Sequence, residues 1–202
     1  MAGDIVENIK QGAIGVLATD TLYGLVGSVY SQKAIERIYE IKKRDENKSL
    51  IILISSVEDL KEFGVELTET AKKFVMSYWP GKVSVIFPFH NEKLNYLDKA
   101  GTGTLAFRLP NKKDLIELLQ KTGPLVAPSA NTQGLTPAKN IIEAKEYFGD
   151  TVDFYIDGGE LSSEPSTLVK IVGENIEILR EGAVDFCTTK IMSKESKDTE
   201  CV

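Results

Sequence analysis

Leu50 to Ile54 (LIILI) is an apolar run without a polar interruption, and it follows directly on a connection carrying Lys42, Lys43, Arg44 and Lys48. A run of that length and purity predicts a short strand buried on both faces of a sheet. Upstream, Ala34, Ile35, Ile38 and Ile41 recur at helical spacing, which predicts an amphipathic helix over Gln32–Ile41. The four cations therefore stand where a helix hands over to an interior strand. One plain account is a charged helix end, with cations favoured by the macrodipole. The other is a cationic group aimed at a ligand, and the rest of the chain tips the balance toward it.

Thr104–Leu109 (TLAFRL) carries Arg108 inside an apolar strand closed by Pro110. An arginine there must either pair with a carboxylate or point into a cleft, because an unpaired buried cation is costly. Ala13–Ala18 reads as a compact apolar strand. It leads into Thr19-Asp20-Thr21-Leu22-Tyr23-Gly24-Leu25, a segment dense in hydroxyls and read as a ligand loop at a strand end. Alternatively, Asp20 merely caps a polar turn. Pro124–Pro128 predicts another short strand, followed by the small and hydrogen-bonding residues Ser129-Ala130-Asn131. Further strands are expected at Val83–Phe87, Phe154–Ile156 and Thr167–Val172, the last returning through a Gly173-Glu174-Asn175 turn to Ile176–Leu179 and Arg180. Helices are expected at Val57–Phe63, Glu69–Tyr78, Lys112–Lys121, and from Asn140 as cap to Phe148; His90–Gly103 reads as a loop. Strands and helices alternate throughout, so the fold class is α/β, a twisted open mixed sheet with flanking helices.

Composition narrows the chemistry. The 202 residues suit one domain, 1–187, with a polar tail at 188–202 expected to be disordered. A single histidine, His90, excludes a Ser-His-Asp site and a histidine-rich metal site, and the two cysteines, Cys187 and Cys201, form no metal or disulfide pattern. No apolar run approaches a membrane span, and no signal peptide is legible, so the cytoplasm is the expected location. The net charge of −6 disfavours an extended nucleic-acid surface. Cations gathered beside buried strands, with few carboxylates, instead suit a polyphosphate together with a small carboxylate-bearing molecule. Neither a P-loop nor a G-x-G-x-x-G motif is present.

Six short motifs occur in order: Thr19–Leu25, Lys42-x-Arg44, Trp79-Pro80-Gly81, Arg108-Leu109-Pro110, Pro128-Ser129-Ala130-Asn131, and Ser166-Thr167 with Arg180-Glu181-Gly182. In this the chain resembles the YrdC-like family, in particular threonylcarbamoyl-AMP synthases of the short, single-domain type. The resemblance implies a YrdC-like fold with a large concave, positively lined cavity. It implies the formation of threonylcarbamoyl-AMP and pyrophosphate from L-threonine, bicarbonate and ATP. The product would pass to tRNA threonylcarbamoyl-transfer proteins that modify an adenosine beside the anticodon, with a weak tRNA contact of its own. Mg²⁺ would accompany ATP, and no protein metal site is expected.

By the same resemblance, Thr21, Arg108, Ala127 and Ser166 would bind threonine. Arg44, Lys48, Thr104, Ser129, Asn131 and Arg180 would bind the nucleotide, and Lys42 and Arg44 would be the catalytic pair. Asp45 and Ser49 stand where the family usually has proline, Leu53 where histidine is frequent, and Gln133 where serine often precedes the glycine. Two rival functions share these features: a carbamoyl-adenylate-forming domain using the same cleft, and a non-catalytic RNA-binding module, which would need basic stripes and stacking aromatics.

Overall fold

The computed structural model describes residues 2–48 and 50–186. The expected tail at 188–202 and both cysteines lie outside the described residues. The chain begins with α1 (Ala2–Lys10), β1 (Ile14–Ala18), β2 (Tyr23–Ser28), α2 (Gln32–Lys42) and β3 (Ile51–Leu53). It continues through α3 (Glu69–Tyr78), β4 (Val83–Pro88), β5 (Thr104–Arg108), α4 (Lys113–Thr122) and β6 (Leu125–Val126). It closes with α5 (Ile141–Phe148), β7 (Phe154–Ile156), β8 (Thr167–Val172) and β9 (Asn175–Arg180). The nine strands form one sheet in the order β7-β1-β2-β6-β3-β5-β4-β8-β9. Three pairs are parallel (β1/β7, β3/β5, β4/β8) and the others antiparallel, so the expected mixed sheet is present.

Helices cover both faces of its centre. Val16, Leu25, Ile52 and Ile54 pack into one apolar layer with Ile35 and Ile38 of α2. Leu17, Val26 and Leu53 pack into the other with Ile9 of α1 and Leu115 and Leu119 of α4. Residues that alternate along a strand thus enter opposite layers. This is why LIILI has no polar position: both of its faces are interior.

Two expectations need correction. The hydroxyl-rich segment is a loop only from Thr19 to Leu22; Tyr23–Ser28 is a strand, paired antiparallel with β1 from Ala18↔Tyr23 to Ile14↔Gly27. Its two glycines hide the strand pattern, yet Gly27 is there for contact. A β-carbon on it would meet Ile38 at 3.0 Å, Ile14 at 3.1 Å and Ala34 at 3.3 Å, so α2 lies directly on bare backbone. The segment Glu92–Leu97, expected as part of a loop, is a 3₁₀ helix, and the helix expected at Val57–Phe63 is present with those bounds as a 3₁₀ helix.

α2 also runs one residue further than its isoleucines predict. Ser31 caps it by accepting a hydrogen bond from the Ala34 N–H at 3.2 Å, and Lys43 ends it in the left-handed region at φ 49°. The buried face is Ala34, Ile35, Ile38, Tyr39 and Lys42. Lys42 occupies the next helical position on the apolar stripe, which carries its ammonium inward. No helix among the described residues is long and apolar enough to cross a membrane.

Candidate active site

A cavity of about 220 Å³ opens against the sheet. The β1–β2 turn supplies Thr19, Thr21 and Leu22, the chain after β6 supplies Ala127 and Ser129, and β3 supplies Ile51. Three arginines face it from separate elements: Arg44 from the loop after α2, Arg108 from the end of β5, and Arg180 from the end of β9. Pro165 and Ser166, just ahead of β8, complete the wall.

Arg108 is 4% exposed. Its Nη1 donates to Asp20 Oδ1 at 2.7 Å and its Nη2 to Thr19 Oγ1 at 3.4 Å, while its buried Nε has no partner. The other Asp20 oxygen accepts the Asn111 N–H at 3.0 Å. The Thr19 hydroxyl is the hub of the turn: it accepts the N–H groups of Thr21 and Leu22 and donates to the Leu22 carbonyl at 2.7 Å. Thr21 is buried with its hydroxyl 3.2 Å from that of Thr19. Both alternatives raised for Arg108 are therefore realised: it is paired, and it faces a cleft.

Arg180 Nη2 donates to the Ser166 carbonyl at 2.7 Å and lies 3.3 Å from the Ser166 hydroxyl, which sits 2.8 Å from the hydroxyl of the buried Ser84. Arg44 Nε donates to the Lys48 carbonyl at 3.0 Å. The arginines sense one another. Burial and then Arg44 depress the Arg180 pKa, and burial depresses that of Arg108, with Asp20 opposing and Arg180 adding to the effect. Burial likewise lowers Arg44, against the opposing pull of Tyr39 and Asp45. A cavity where cations crowd in this way is an anion site before anything binds.

Lys42, expected with Arg44 as the catalytic pair, is not among the residues that line the cavity. Only 1% exposed, it lies beneath the Ser129–Asn131 loop. Its Nζ donates to the Ser129 carbonyl, to the Asn131 carbonyl at 2.6 Å and to Asn131 Oδ1 at 3.3 Å. Burial, then the neighbouring Arg44, pushes its pKa down to about 7. An ammonium has three hydrogens, and three oxygens surround it. Asn131 is equally committed, accepting from the Ser129 hydroxyl at 2.6 Å and donating Nδ2 to the Leu135 carbonyl at 2.6 Å. Both residues shape the wall from behind it.

Of the remaining expected residues, Ala127 lines the cavity, but its N–H is taken by the Ile51 carbonyl at 2.8 Å. Lys48 has an exposed side chain, and its carbonyl steadies Arg44 and accepts from the Tyr39 hydroxyl. Thr104 does not line the cavity. It sits four residues before Arg108, roughly 13 Å back along β5, with its hydroxyl 2.9 Å from that of Thr102. Sequence reading missed Asp20 as the partner of Arg108, and it missed Ser84. The one signal for Asp20 was a carboxylate among hydroxyls in a segment already singled out.

The family model Sua5_yciO_yrdC, described as telomere recombination, matches residues 7–182. The chain belongs to this family. Among its Sua5/YciO/YrdC relatives, the threonylcarbamoyl-AMP synthase of Klebsiella pneumoniae is 34% identical over 152 residues, covering 72% of this chain and 78% of that protein. The Sua5 of P. abyssi, solved in complex with L-threonine, superimposes with a TM-score of 0.84 at 28% identity. That match takes in 90% of this chain, which spans 54% of the length of Sua5. E. coli YciO matches with a TM-score of 0.82 at 22% identity over 91% of this chain and 90% of its own, a likeness of fold.

Proposed function

We propose that this chain is an L-threonylcarbamoyladenylate synthase, making threonylcarbamoyl-AMP and pyrophosphate from L-threonine, bicarbonate and ATP. The observation that carries the reading is the meeting of Arg44, Arg108 and Arg180 on one cavity whose wall, among the described residues, holds no carboxylate side chain. The synthase relatives and the threonine-bound Sua5 support the same substrates.

The chemistry brings anions together. The threonine amine, as –NH₂, attacks the carbon of CO₂ to form a C–N bond and releases one N–H proton to solvent; with bicarbonate a C–O bond breaks and the departing hydroxide takes that proton as water. A carbamate oxygen then attacks the α-phosphorus, and the bond to pyrophosphate breaks. Carboxylate, carbamate and triphosphate all carry negative charge, so fixed cations and orientation are the main catalytic levers. Arg108, steadied by Asp20 and Thr19, is the proposed partner of the threonine carboxylate, with Thr21, Ser166 and the wall at Ala127 around it. Arg44 and Arg180, with Ser129 between the loops, are proposed for the nucleotide phosphates. No side chain need become a covalent nucleophile.

Among the described residues no group of three or more His, Cys, Asp or Glu is disposed to hold a metal, and Asp20 is occupied by Arg108 and Asn111. Mg²⁺ would therefore enter as part of the ATP complex, carried by the phosphates. Transfer of the threonylcarbamoyl group to tRNA is the proposed fate of the product, in the hands of a separate protein.

Pyrophosphate release from ATP and bicarbonate, measured with threonine, serine, glycine or no amino acid, tests the reading. Threonine-dependent release is expected. Turnover indifferent to the amino acid would move the assignment to a carbamoyl-adenylate-forming enzyme, and salt-dependent RNA binding without turnover to an RNA-binding module.

A further inference from the structure

Arg44 stands on a loop that leaves α2 through the left-handed Lys43, and Tyr39 of α2 meets it twice, its carbonyl accepting the Arg44 N–H at 2.9 Å and its hydroxyl facing the guanidinium. Three contacts within the loop give it shape: Asn47 N–H to Asp45 Oδ1 at 3.0 Å, Lys48 N–H to the Asp45 carbonyl at 3.0 Å, and Arg44 Nε to the Lys48 carbonyl. They do not set the loop's place relative to Ser129 across the cavity. Gln133 does. Its N–H donates to the Lys42 carbonyl at 2.9 Å, and its side-chain Oε1 accepts the Asp45 N–H at 2.9 Å. One half-buried residue thus grips the backbone on both sides of Arg44, two residues before it and one after.

Lys42 fastens the same pair of loops from beneath, through Ser129 and Asn131. The two links differ in kind. Lys42 holds the Ser129 loop to the helix, whereas the Gln133 side chain reaches past Arg44 into the connection that carries it, a connection that Lys99 also grips at Glu46 and Tyr39 at the Lys48 carbonyl.

We propose that Gln133 is a positioning residue for Arg44: it sets the reach of that guanidinium toward the nucleotide by clamping the backbone around it. This rests on the assignment of Arg44 to the nucleotide given above. Gln133 is not among the residues that line the cavity, and its effect runs through main-chain hydrogen bonds. Replacing it should therefore act on ATP and spare threonine, whose proposed arginine, Arg108, is held independently by Asp20.

The test compares wild type, Gln133→Leu and Gln133→Glu in the full chain. Leucine keeps the bulk and the backbone N–H but removes the acceptor; glutamate restores an oxygen that accepts the Asp45 N–H. Amide hydrogen exchange of the protein alone is expected to speed up about tenfold across residues 43–48 in Gln133→Leu, and to stay near wild type in Gln133→Glu. In threonine-dependent pyrophosphate release, Gln133→Leu should raise the KM for ATP about five- to tenfold, the scale of one lost hydrogen bond. Its KM for threonine should stay within about twofold of wild type, and Gln133→Glu should return the ATP value toward wild type. Unchanged exchange at 43–48 in Gln133→Leu overturns the proposal whatever the kinetics. Faster exchange with an unchanged ATP KM, or with both KM values raised alike, also overturns it, since Gln133 would then serve the fold and not Arg44. A wild-type protein without threonine-dependent release sinks the synthase reading on its own account, and the clamp is then judged by the exchange data.

Discussion

Arg108 Nη1 and Asp20 Oδ1 lie 2.7 Å apart with both side chains almost sealed from water, at 5% and 6% exposure. The two residues are 88 positions apart in the chain. A buried pair of this kind adds little relative to apolar packing, but removing one partner strands the other. Asp20→Ala should destabilise the protein by about 3 kcal/mol, read as a lower urea midpoint. It should also raise the KM for threonine by about tenfold or more, because the unpartnered guanidinium loses its aim. Asp20→Asn, which keeps an acceptor, should fall between. A threonine KM unchanged in both variants would break the link between this pair and the amino acid.

Arg44, half-buried, reaches the cavity from the loop after α2 and Arg180 from the exposed end of β9, neither from the core. Arg44→Ala and Arg180→Ala should each lower kcat/KM by about 100-fold with circular dichroism and melting temperature close to wild type. Lysine at either position should recover part of the loss, since it keeps the charge without the planar fork. Wild-type rates in both alanine variants would remove the anion-site reading.

Lys42 gives a pH signature. Its pKa is near 7 in the folded protein against 10.5 when free, so between those values the unfolded chain holds a proton that the folded chain has released. Stability rises with pH wherever the unfolded state binds more protons. The melting temperature of wild type relative to Lys42→Met should therefore climb as pH goes from about 7 to 9.5, and be flat below 7. A difference that stays flat from pH 7 to 9.5 would mean that the three surrounding oxygens keep the ammonium charged throughout. Lys42→Ala should damage folding as well as turnover, unlike Arg44→Ala, because it leaves a void and three carbonyl or amide oxygens without their donor.

Gly182 ties the end of β9 to the cavity wall. A β-carbon there would stand 2.2 Å from the Pro165 carbonyl oxygen and 2.9 Å from the Ser166 backbone, so backbone must move. Gly182→Ala should cost about 1–3 kcal/mol and displace Ser166 and Arg180 together. The expected result is a drop of about tenfold in kcat/KM. A stable, fully active Gly182→Ala protein would show that the Ser166 wall tolerates displacement.

What the sequence determined by itself is local. The purity of LIILI marked a strand with two interior faces, and the helical spacing of Ile35 and Ile38 marked α2. Asn140 marked a helix start, where its side chain does accept the Glu143 N–H. Gly173–Glu174 marked the β8–β9 hairpin. The six motifs brought Thr21, Arg44, Arg108, Ser129, Ser166 and Arg180 onto one list, and they share one cavity. These signals survive without tertiary structure because period, caps and turn residues act over a few positions.

The tertiary structure decided the partners. Tyr23–Ser28 became a strand because β1 and α2 needed its bare glycine backbone, which no alternation in the segment announces. Thr104 shares a short strand with Arg108, yet the rise of that strand keeps it off the cavity wall. Lys42 stands in the sequence with the cations of the connection after α2, but one further helical residue carries it under the Ser129 loop. Asp20 could have capped its own turn, and it was taken by an arginine on β5, three strands along the sheet from β2. A buried charge or amide is satisfied by whatever the fold brings within 3 Å, and that distance is set by packing across the sheet, not by neighbours along the chain.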